Sequence, residues 1–594
     1  MTTSASTLAV GLFLLFNSLL ALLHVVTLRA PELAAWIDWG IGLDFNGPTT
    51  RGLFGSAEVP AVLAASLSTS IGCAIAYFLA SERLTLVLSL TICHVAAFFT
   101  TSSGRLAILW STKHGVASIV ALLITWIVTL LRVCHKLWRW RVGLQAFEKF
   151  AEHLPPPPSD DSIPGVDGPV LILYANVGSG HKRAAKAVEA ALLKRGAPAD
   201  KVVLLDAMEL CGGGFRFMMQ TMFQELTQSL AGQHLLGYLY DAQDGGRYKS
   251  RLQRSVENLC MLDLLERVAE LQPALCLCTH FLPAQLLAGL RRRSHVLARN
   301  LPLAIVLTDL DLQSMWVQQV DAYFLPRDDA ATLLMQCPDP HAQSPGSPLR
   351  AKLTVSGIPI MPAFSAAAAD ARSTDAKRVK ATRAAAHDAF GLPAPGSDAL
   401  PTVLLMSSGA AVVVAAYTQL LKCETPLRVL VVMGRQADVR AELEAVDVPA
   451  RHAAHFYGFV TDMPGLMRAT DLLVCKSGGL TIAEAAALGV PLLILDPIPG
   501  QETRNADVVL EAGAAVRVND LPLLPSRVNQ LLRDKGARLD VMRRAMLALG
   551  KPDAAYTIAD AILQRRVVPI AALEDKAAAE AGDTAMDGTK EKRA

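Results

Sequence analysis

The chain has 594 residues, 52% of them apolar, and 56 basic against 54 acidic side chains leave a net charge of +2. That length exceeds one ordinary domain, and so even a charge balance gives no support for nucleic-acid binding as a main activity. The ten cysteines include no C-x-x-C, so neither a zinc ribbon nor a disulfide framework is indicated, and reduced thiols in a cytosolic compartment fit them.

The apolar excess lies mainly before residue 135, which predicts a membrane section joined to a water-facing section. Residues 7–28, "TLAVGLFLLFNSLLALLHVVTL", are long enough as a helix to span ~30 Å of hydrocarbon. Further apolar stretches at about 60–80, 84–102 and 115–132 bring the expected spans to four, in a membrane domain over 1–150. The segment that follows, "RVCHKLWRWRVGLQAFEKF", interleaves Arg132, Lys136, Arg139 and Arg141 with Trp138 and Trp140. A basic flank with aromatic anchors marks the cytosolic side and attracts anionic lipids. The expectation is an integral protein, of a bacterial inner membrane, with its catalytic part on the cytosolic face. "PPPPSDDSIPG", within a linker over 151–167, reads as a stiff spacer.

From residue 168 the texture changes. "PVLILYANVGSGHKRAAKAVEAALLKRG" is an apolar run, a glycine turn and an amphipathic helix, and "KVVLLDA", "ALCLCTH" and "LPLAIVLTDLD" follow as further strands. Cys276 and Cys278 with His280 have a faint look of a metal site, but two cysteines on a buried strand explain them more simply. The stretch 211–250, rich in Met, Phe, Leu and Tyr, suits buried packing and a membrane-dipping lip equally. An Ala/Asp/Arg-rich connection over 364–400 precedes a second series: "TVLLMSSGA", "LRVLVVMG", "HFYGFV", "DLLVCKSGG" and "PLLILDP". Strands alternating with helices predict an α/β fold with two Rossmann-like domains, over 168–363 and 401–566, and a disordered charged tail over 567–594. Ligands of such sheets sit beyond the carboxyl ends of the strands, so two facing sheets place a site in the cleft between them.

The most informative stretch is "KSGGLTIAEAAALGVPLLILDPIPGQETRNAD", from Lys476 to Asp507. Ser477, Gly478 and Gly479 form a turn without bulk, and Thr481 opens a helix closed by Gly489. A helix N-terminus presents free N–H groups and about half a positive charge, and glycines let a phosphate approach. The turn therefore suits a diphosphate. Glu484 follows in position to reach ribose hydroxyls, yet T-x-x-E is also a capping box, and spacing alone leaves both readings open. Gln501 and Glu502, an amide and a carboxylate after the next strand, suit a hydroxyl-rich ligand or an ordinary loop.

In the first half, "GSGHKRAA" is neither a P-loop nor G-x-G-x-x-G, since Arg183 stands where the third glycine belongs. His181 falls in the first turn of the helix that follows.

These segments, in order with "TDLDLQSMWVQQVDAYFLPRDDA", "VSGIPI", "RAAAHDAFGLP", "VLLMSSGA" and "FYGFVTDMPGLMRATDLLVCKSGG", resemble the processive diacylglycerol glycosyltransferases and monogalactosyldiacylglycerol synthases. That family is GT-B and glycosyltransferase family 28-like, and the resemblance covers about 168–565. It implies a UDP-sugar donor, with no further cofactor and no metal required. It implies that Ser477, Gly478, Gly479 and Thr481 cradle the diphosphate, that Glu484 binds ribose, and that Gln501 and Glu502 bind sugar hydroxyls. By the same resemblance Gly409, Gly500 and Asn505 line the donor site, and Phe459 and Val460 lie near the uracil. Where relatives carry a glycine-richer loop and a proline, this chain has Ser407, Ser408 and Ser477. On the acceptor side the resemblance points to Gly178, Gly180 and Trp316, with His181 or Asp309 as the catalytic base.

The resulting expectation is a membrane-bound inverting transferase that moves a hexose from a UDP-hexose to a lipid hydroxyl, diacylglycerol foremost. Transfer of N-acetylglucosamine to a polyprenyl-linked acceptor is the alternative. A catalytically silent GT-B protein that binds nucleotide-sugar or lipid is another.

Overall fold

The computed structural model describes residues 168–222, 260–292, 294–337, 351–396, 400–406, 410–434, 438–495, 497–533 and 536–571, with scattered positions between 135 and 152 and between 226 and 232. Contacts divide the chain into two units. One holds residues 1–142 with 211–217 and 255–262, and its described part includes the short helix Gly213–Arg216, where the Gly212 N–H donates to the Cys260 carbonyl at 2.9 Å. The other unit carries both α/β lobes.

In the first lobe the chain runs β1 (Val170–Tyr174), α1 (Ser179–Lys194), β2 (Val202–Asp206), α2 (Leu262–Leu271), β3 (Leu275–Cys278), α3 (Phe281–Arg291), α4 (His295–Asn300), β4 (Leu303–Val306), β5 (Ala322–Leu325), α5 (Asp328–Gln336) and β6 (Lys352–Val355). Helices α6 (Pro362–Ala371) and α7 (Ala376–Ala389) lead into the second lobe. It comprises β7 (Thr402–Met406), α8 (Ala410–Leu420), β8 (Arg428–Val432), α9 (Asp438–Glu444), β9 (Ala453–Tyr457), α10 (Met463–Arg468), β10 (Leu472–Cys475), α11 (Gly479–Leu488), β11 (Leu492–Leu495), α12 (Gln501–Glu511), β12 (Ala515–Val518), α13 (Leu524–Leu532) and α14 (Ala537–Leu549). Helix α15 (Ala554–Leu563) follows.

Each lobe is a six-stranded parallel sheet, in the order β2-β1-β3-β4-β5-β6 and β12-β11-β10-β7-β8-β9. The second order is the doubly wound arrangement of dinucleotide-binding folds, and the first is of flavodoxin type with an added strand. The strands read as continuous apolar runs because both faces are covered. In the second lobe Leu404, Leu430, Leu473 and Ile494 pack toward α6, α7 and α11, while Val403, Leu405, Val429 and Val474 pack on the opposite face. The expected connection over 364–400 contains most of α6 and all of α7, and Phe364, Ala368 and Ala386 belong to the second lobe's core.

Helix α15 returns to the first lobe. Ala555, Ile558, Ala559 and Ile562 recur at helical spacing and join the core formed by β1, β3 and the Ala185, Val188 and Leu192 face of α1. Burying each isoleucine contributes roughly 1.5–3 kcal/mol. Arg195 pairs with Asp560 at 2.8 Å and lies over the Tyr556 ring at 4.7 Å. Both chain crossings between the lobes therefore meet. Gly357 has φ +91°, and a Cβ there would lie 2.6 Å from Cβ of Lys551. Arg372 of α6 donates to the carbonyls of Leu547 at 2.8 Å and Gly550 at 3.0 Å.

One expectation is corrected. Among the described residues no helix is long and apolar enough to cross a membrane. Helix α1, with 16 residues, rises about 24 Å against a hydrocarbon core of ~30 Å, and it carries charged side chains along its length. The assignment to an integral membrane protein with a helical membrane domain is not supported by any described helix. The four stretches proposed as spans, and nearly all of 223–259, lie outside the described residues.

Gly357→Ala combines a left-handed backbone with a clash at the crossing, and is expected to cost on the order of 1–3 kcal/mol. Urea unfolding measures it, and an unchanged midpoint would contradict this account of the crossing.

Candidate active site at the seam of two parallel sheets

In a parallel sheet the order reverses at one place, where neighbouring loops leave in opposite directions and open a crevice. In the first lobe that place lies between β1 and β3, and in the second between β7 and β10. The loop after β1 leads to α1 and His181, and the loop after β10 is the Lys476–Gly478 turn into α11. The two glycine turns singled out in the sequence thus stand at the two switch points.

His181 lies in the first turn of α1. Its Nδ1 is 2.9 Å from the Thr279 carbonyl and 3.0 Å from Oγ1 of Thr308. A carbonyl can only accept, so Nδ1 carries the proton and Nε2 keeps the lone pair. Thr279 also donates its hydroxyl to the His181 carbonyl at 3.0 Å, which fixes backbone and ring together. Burial lowers the His181 pKa from its ordinary 6.5, while Asp309 and the Thr279 carbonyl raise it. The ring meets His280 edge-on at 4.5 Å, and Trp316 stands 6.1 Å away. Trp316 is buried in a short 3-10 turn and packs against Phe281. It forms the wall behind His181. Gly178 and Gly180 face open space, since a Cβ at either would meet nothing within 4 Å.

In the second lobe α11 starts at Gly479, so Thr481 lies inside its first turn and no capping box forms. The helix ends at Gly489 in a left-handed conformation, φ 70°. Ser477 is fully buried and donates its hydroxyl to the Glu502 carbonyl at 2.7 Å, so it shapes the turn. Gly478 opens toward the Glu502 carboxylate, with Oε1 3.9 Å from a would-be Cβ. Glu502 accepts from the Ile498 N–H at 2.8 Å. Gly500, φ 87°, precedes α12, which Gln501 and Glu502 begin. Phe459 and Val460 follow β9, and Phe459 is 69% exposed, far outside the core. Gly409 lies outside the described residues.

The lobes touch along this line. Asn505, fully buried on α12, donates from Nδ2 to Asp309 at 3.0 Å and accepts from the Leu310 N–H at 2.7 Å. Arg504 pairs with Asp311 at 3.1 Å. The Thr308 carbonyl presses on Gly479 so closely that no Cβ fits there. Ala184, Ile358 and Leu480 fill the apolar part of the seam. Arg183 of α1 forms an ion pair with Glu484 of α11, whose carboxylate is 1% exposed. Burial raises the Glu484 pKa, and Arg183 draws it down.

The structure thus brings His181, Asp309 and Trp316 together in one lobe, and Gly478, Gly479, Glu484 and Glu502 in the other. Asn505, expected at the donor site, bonds Asp309 and the Leu310 N–H of the opposite lobe. Thr279, Thr308, His280 and Arg183 join the site without having been singled out for it. Thr279 and Thr308 end apolar strands ("CLCTH", "IVLTD"), where a small hydroxyl is the only signal a sequence offers. His280 caps α3, accepting from the Leu282 N–H at 3.1 Å, and Cys276 and Cys278 lie buried on β3.

The chain is similar in sequence to known families over both lobes. The family "Monogalactosyldiacylglycerol (MGDG) synthase" matches residues 181–337, and the family "Glycosyltransferase family 28 C-terminal domain" matches 407–556. The chain is 27% identical over 408 residues to a processive diacylglycerol beta-glucosyltransferase of Bacillus cereus (strain G9842), covering 66% of this chain and 93% of that one. It is 26% identical over 408 residues to a protein of the same name from Bacillus mycoides (strain KBAB4), with the same coverage. Among solved structures, Acinetobacter baumannii MurG aligns with a TM-score of 0.42 at 16% identity, over 67% of this chain and 99% of that one.

A pair of doubly wound lobes with these family matches makes the chain a UDP-sugar-dependent glycosyltransferase. It belongs to the processive diacylglycerol glycosyltransferase and monogalactosyldiacylglycerol synthase family.

Asn505→Asp keeps the shape of the bridge but sets a carboxylate against Asp309 at hydrogen-bond distance. Two such carboxylates repel until they share a proton. The variant is expected to lose stability at pH 8 and to recover part of it toward pH 5. Urea midpoints at the two pH values test this, and an equal loss at both would contradict the Asn505–Asp309 contact.

Proposed function

We propose that the chain is an inverting hexosyltransferase that moves a hexose from UDP-hexose to a lipid hydroxyl, diacylglycerol first, to form a glycoglycerolipid. The first lobe takes the acceptor and the second lobe the UDP-sugar. The observation that carries this reading is the His181 ring, held through Nδ1 by the Thr279 carbonyl so that Nε2 is basic, on the lobe that meets the glycine turn of α11. The names of the relatives support glucose and diacylglycerol.

On this reading the diphosphate lies at the start of α11, against Gly478 and the N–H groups of the first turn. Glu484 accepts from the ribose hydroxyls, and Gln501 and Glu502 meet the sugar. Phe459 and Val460 flank the base. The lipid enters beside Gly178 and Gly180. His181 Nε2 takes the hydroxyl proton as the acceptor oxygen bonds to the anomeric carbon, and the bond from that carbon to the UDP oxygen breaks. The N–H groups and helix dipole of α11 stabilise the charge left on UDP. A single displacement of this kind inverts the anomeric centre.

The seam sets one condition. The Thr308 carbonyl covers Gly479, and a carbonyl repels a phosphate, so Thr308 must move away before the donor seats. Outside the catalytic lobes, exposed Trp138 and Arg141 suit peripheral contact with anionic headgroups.

The test is incubation of the full chain with separately radiolabelled UDP-sugars and diacylglycerol vesicles, followed by lipid extraction. One donor should yield labelled glycolipid, and failure with every donor would sink the proposal. His181→Ala should lose ~10²–10⁴-fold in turnover while UDP affinity changes little. Loss of UDP affinity in step with turnover would refute that role.

The pH profile supplies a separate check. The lowered His181 pKa keeps the imidazole neutral below 6.5. Turnover should therefore be full at neutral pH and fall on an acid limb placed below that value. An acid limb above it would contradict His181 as the base.

A further inference from the structure

Glu484 is a buried carboxylate with its two oxygens in different situations. Oε1 receives Arg183 from the other lobe, and Oε2 is buried without a hydrogen-bond partner among the described residues. A buried anion needs both a counter-charge and filled acceptor sites. The first is present here and the second is left open.

Arg183 is the charged group that meets this carboxylate. Among the other charged side chains on elements packed against α11, Lys182 of α1 lies over the Tyr174 ring, and Arg372, Arg468 and Arg543 have partners of their own. Arg372 of α6 bonds the carbonyls of Ala486, Leu547 and Gly550, and Arg468 of α10 pairs with Asp370. Arg543 of α14 pairs with Asp540 and Asp471, and Asp309 across the seam is held by Asn505.

We propose that Arg183 is a positioning residue for the donor: from the acceptor lobe it clamps Oε1 of Glu484, so that Oε2 stays ionised and aimed for the ribose hydroxyls. This rests on the reading of Glu484 as the ribose carboxylate and adds to it a residue from the opposite lobe. One consequence is that ribose recognition depends on the lobes being together. Nucleotide binding and closure of the seam are then linked through a single ion pair. Arg183 touches neither the reacting carbon nor the leaving group, and it acts through Glu484.

The direction of the pH effect follows from the burial of Glu484, which raises its pKa, and from Arg183, which opposes that rise. With Arg183 removed, the carboxyl holds its proton to higher pH. Binding that requires the carboxylate then weakens as pH falls and recovers as pH rises.

The experiment is calorimetric titration of the full chain with UDP from pH 6 to pH 9, for wild type, Arg183→Ala, Arg183→Lys, Glu484→Ala and the double Ala variant. The ratio of wild-type to variant affinity at each pH cancels the titration of the nucleotide's own phosphate. Arg183→Ala is expected to weaken UDP binding by about tenfold or more near neutrality, with the deficit shrinking toward pH 9. Arg183→Lys should restore part of it. The double variant should bind no worse than Glu484→Ala, because the two residues act as one.

A pH-independent deficit in Arg183→Ala, or affinity equal to wild type while Glu484→Ala is weakened, would overturn the role of Arg183 alone. Unweakened binding in Glu484→Ala would instead remove the ribose reading itself, and this proposal with it. Arg183 is 40% exposed, so its replacement leaves no buried cavity to confuse the result.

Discussion

The architecture depends on one close contact, the Thr308 carbonyl against Gly479. A residue with any side chain at 479 would force the lobes apart there. That glycine serves two ends. On the proposed reading it frees the first turn of α11 for a phosphate, and it lets the other lobe approach the same turn. Thr308 connects the two, because its hydroxyl lies 3.0 Å from Nδ1 of His181. On the proposed reading, one residue touches both the donor turn and the base.

Around this contact the seam is polar and specific. Asn505 satisfies a buried Asp309 and a backbone N–H with one amide, and Arg504 answers Asp311. Each bond leaves the second lobe from α12 or α11 and ends on the 308–311 loop or on α1. Among the described residues, Ala184, Ile358 and Leu480 make an apolar contact at the seam, with Leu310 and Ala483 around them. The crossings at Gly357 and Gly550 lie together on the far side of α11, where α15 fastens the chain end to the first lobe.

Much of this was legible in the sequence because parallel strands buried on both faces leave uniform apolar runs, and "VLILY", "LLVC" and "LLIL" are read without ambiguity. The glycine turns were visible too, and they fall at the switch points. The start of α11 was misplaced by two residues, since Thr481 has the chemistry of a cap while Gly478 supplies the geometry. Helices α6 and α7 were hidden in an alanine-rich stretch whose small apolar face mimics a linker. What one chain cannot display is pairing at long range. Arg183 and Glu484 are 301 residues apart, and Asp309 and Asn505 are 196 apart. Asn505, placed by resemblance on the donor, bonds the opposite lobe. The membrane assignment came from apolar composition before residue 135, and no described helix supports it.

The most direct measurement is a crystal structure of the protein with UDP bound. The account predicts the diphosphate against Gly478 and the first N–H groups of α11, the ribose at Oε2 of Glu484, and the Thr308 carbonyl moved off Gly479. UDP bound elsewhere, with Thr308 still seated on Gly479, would contradict it.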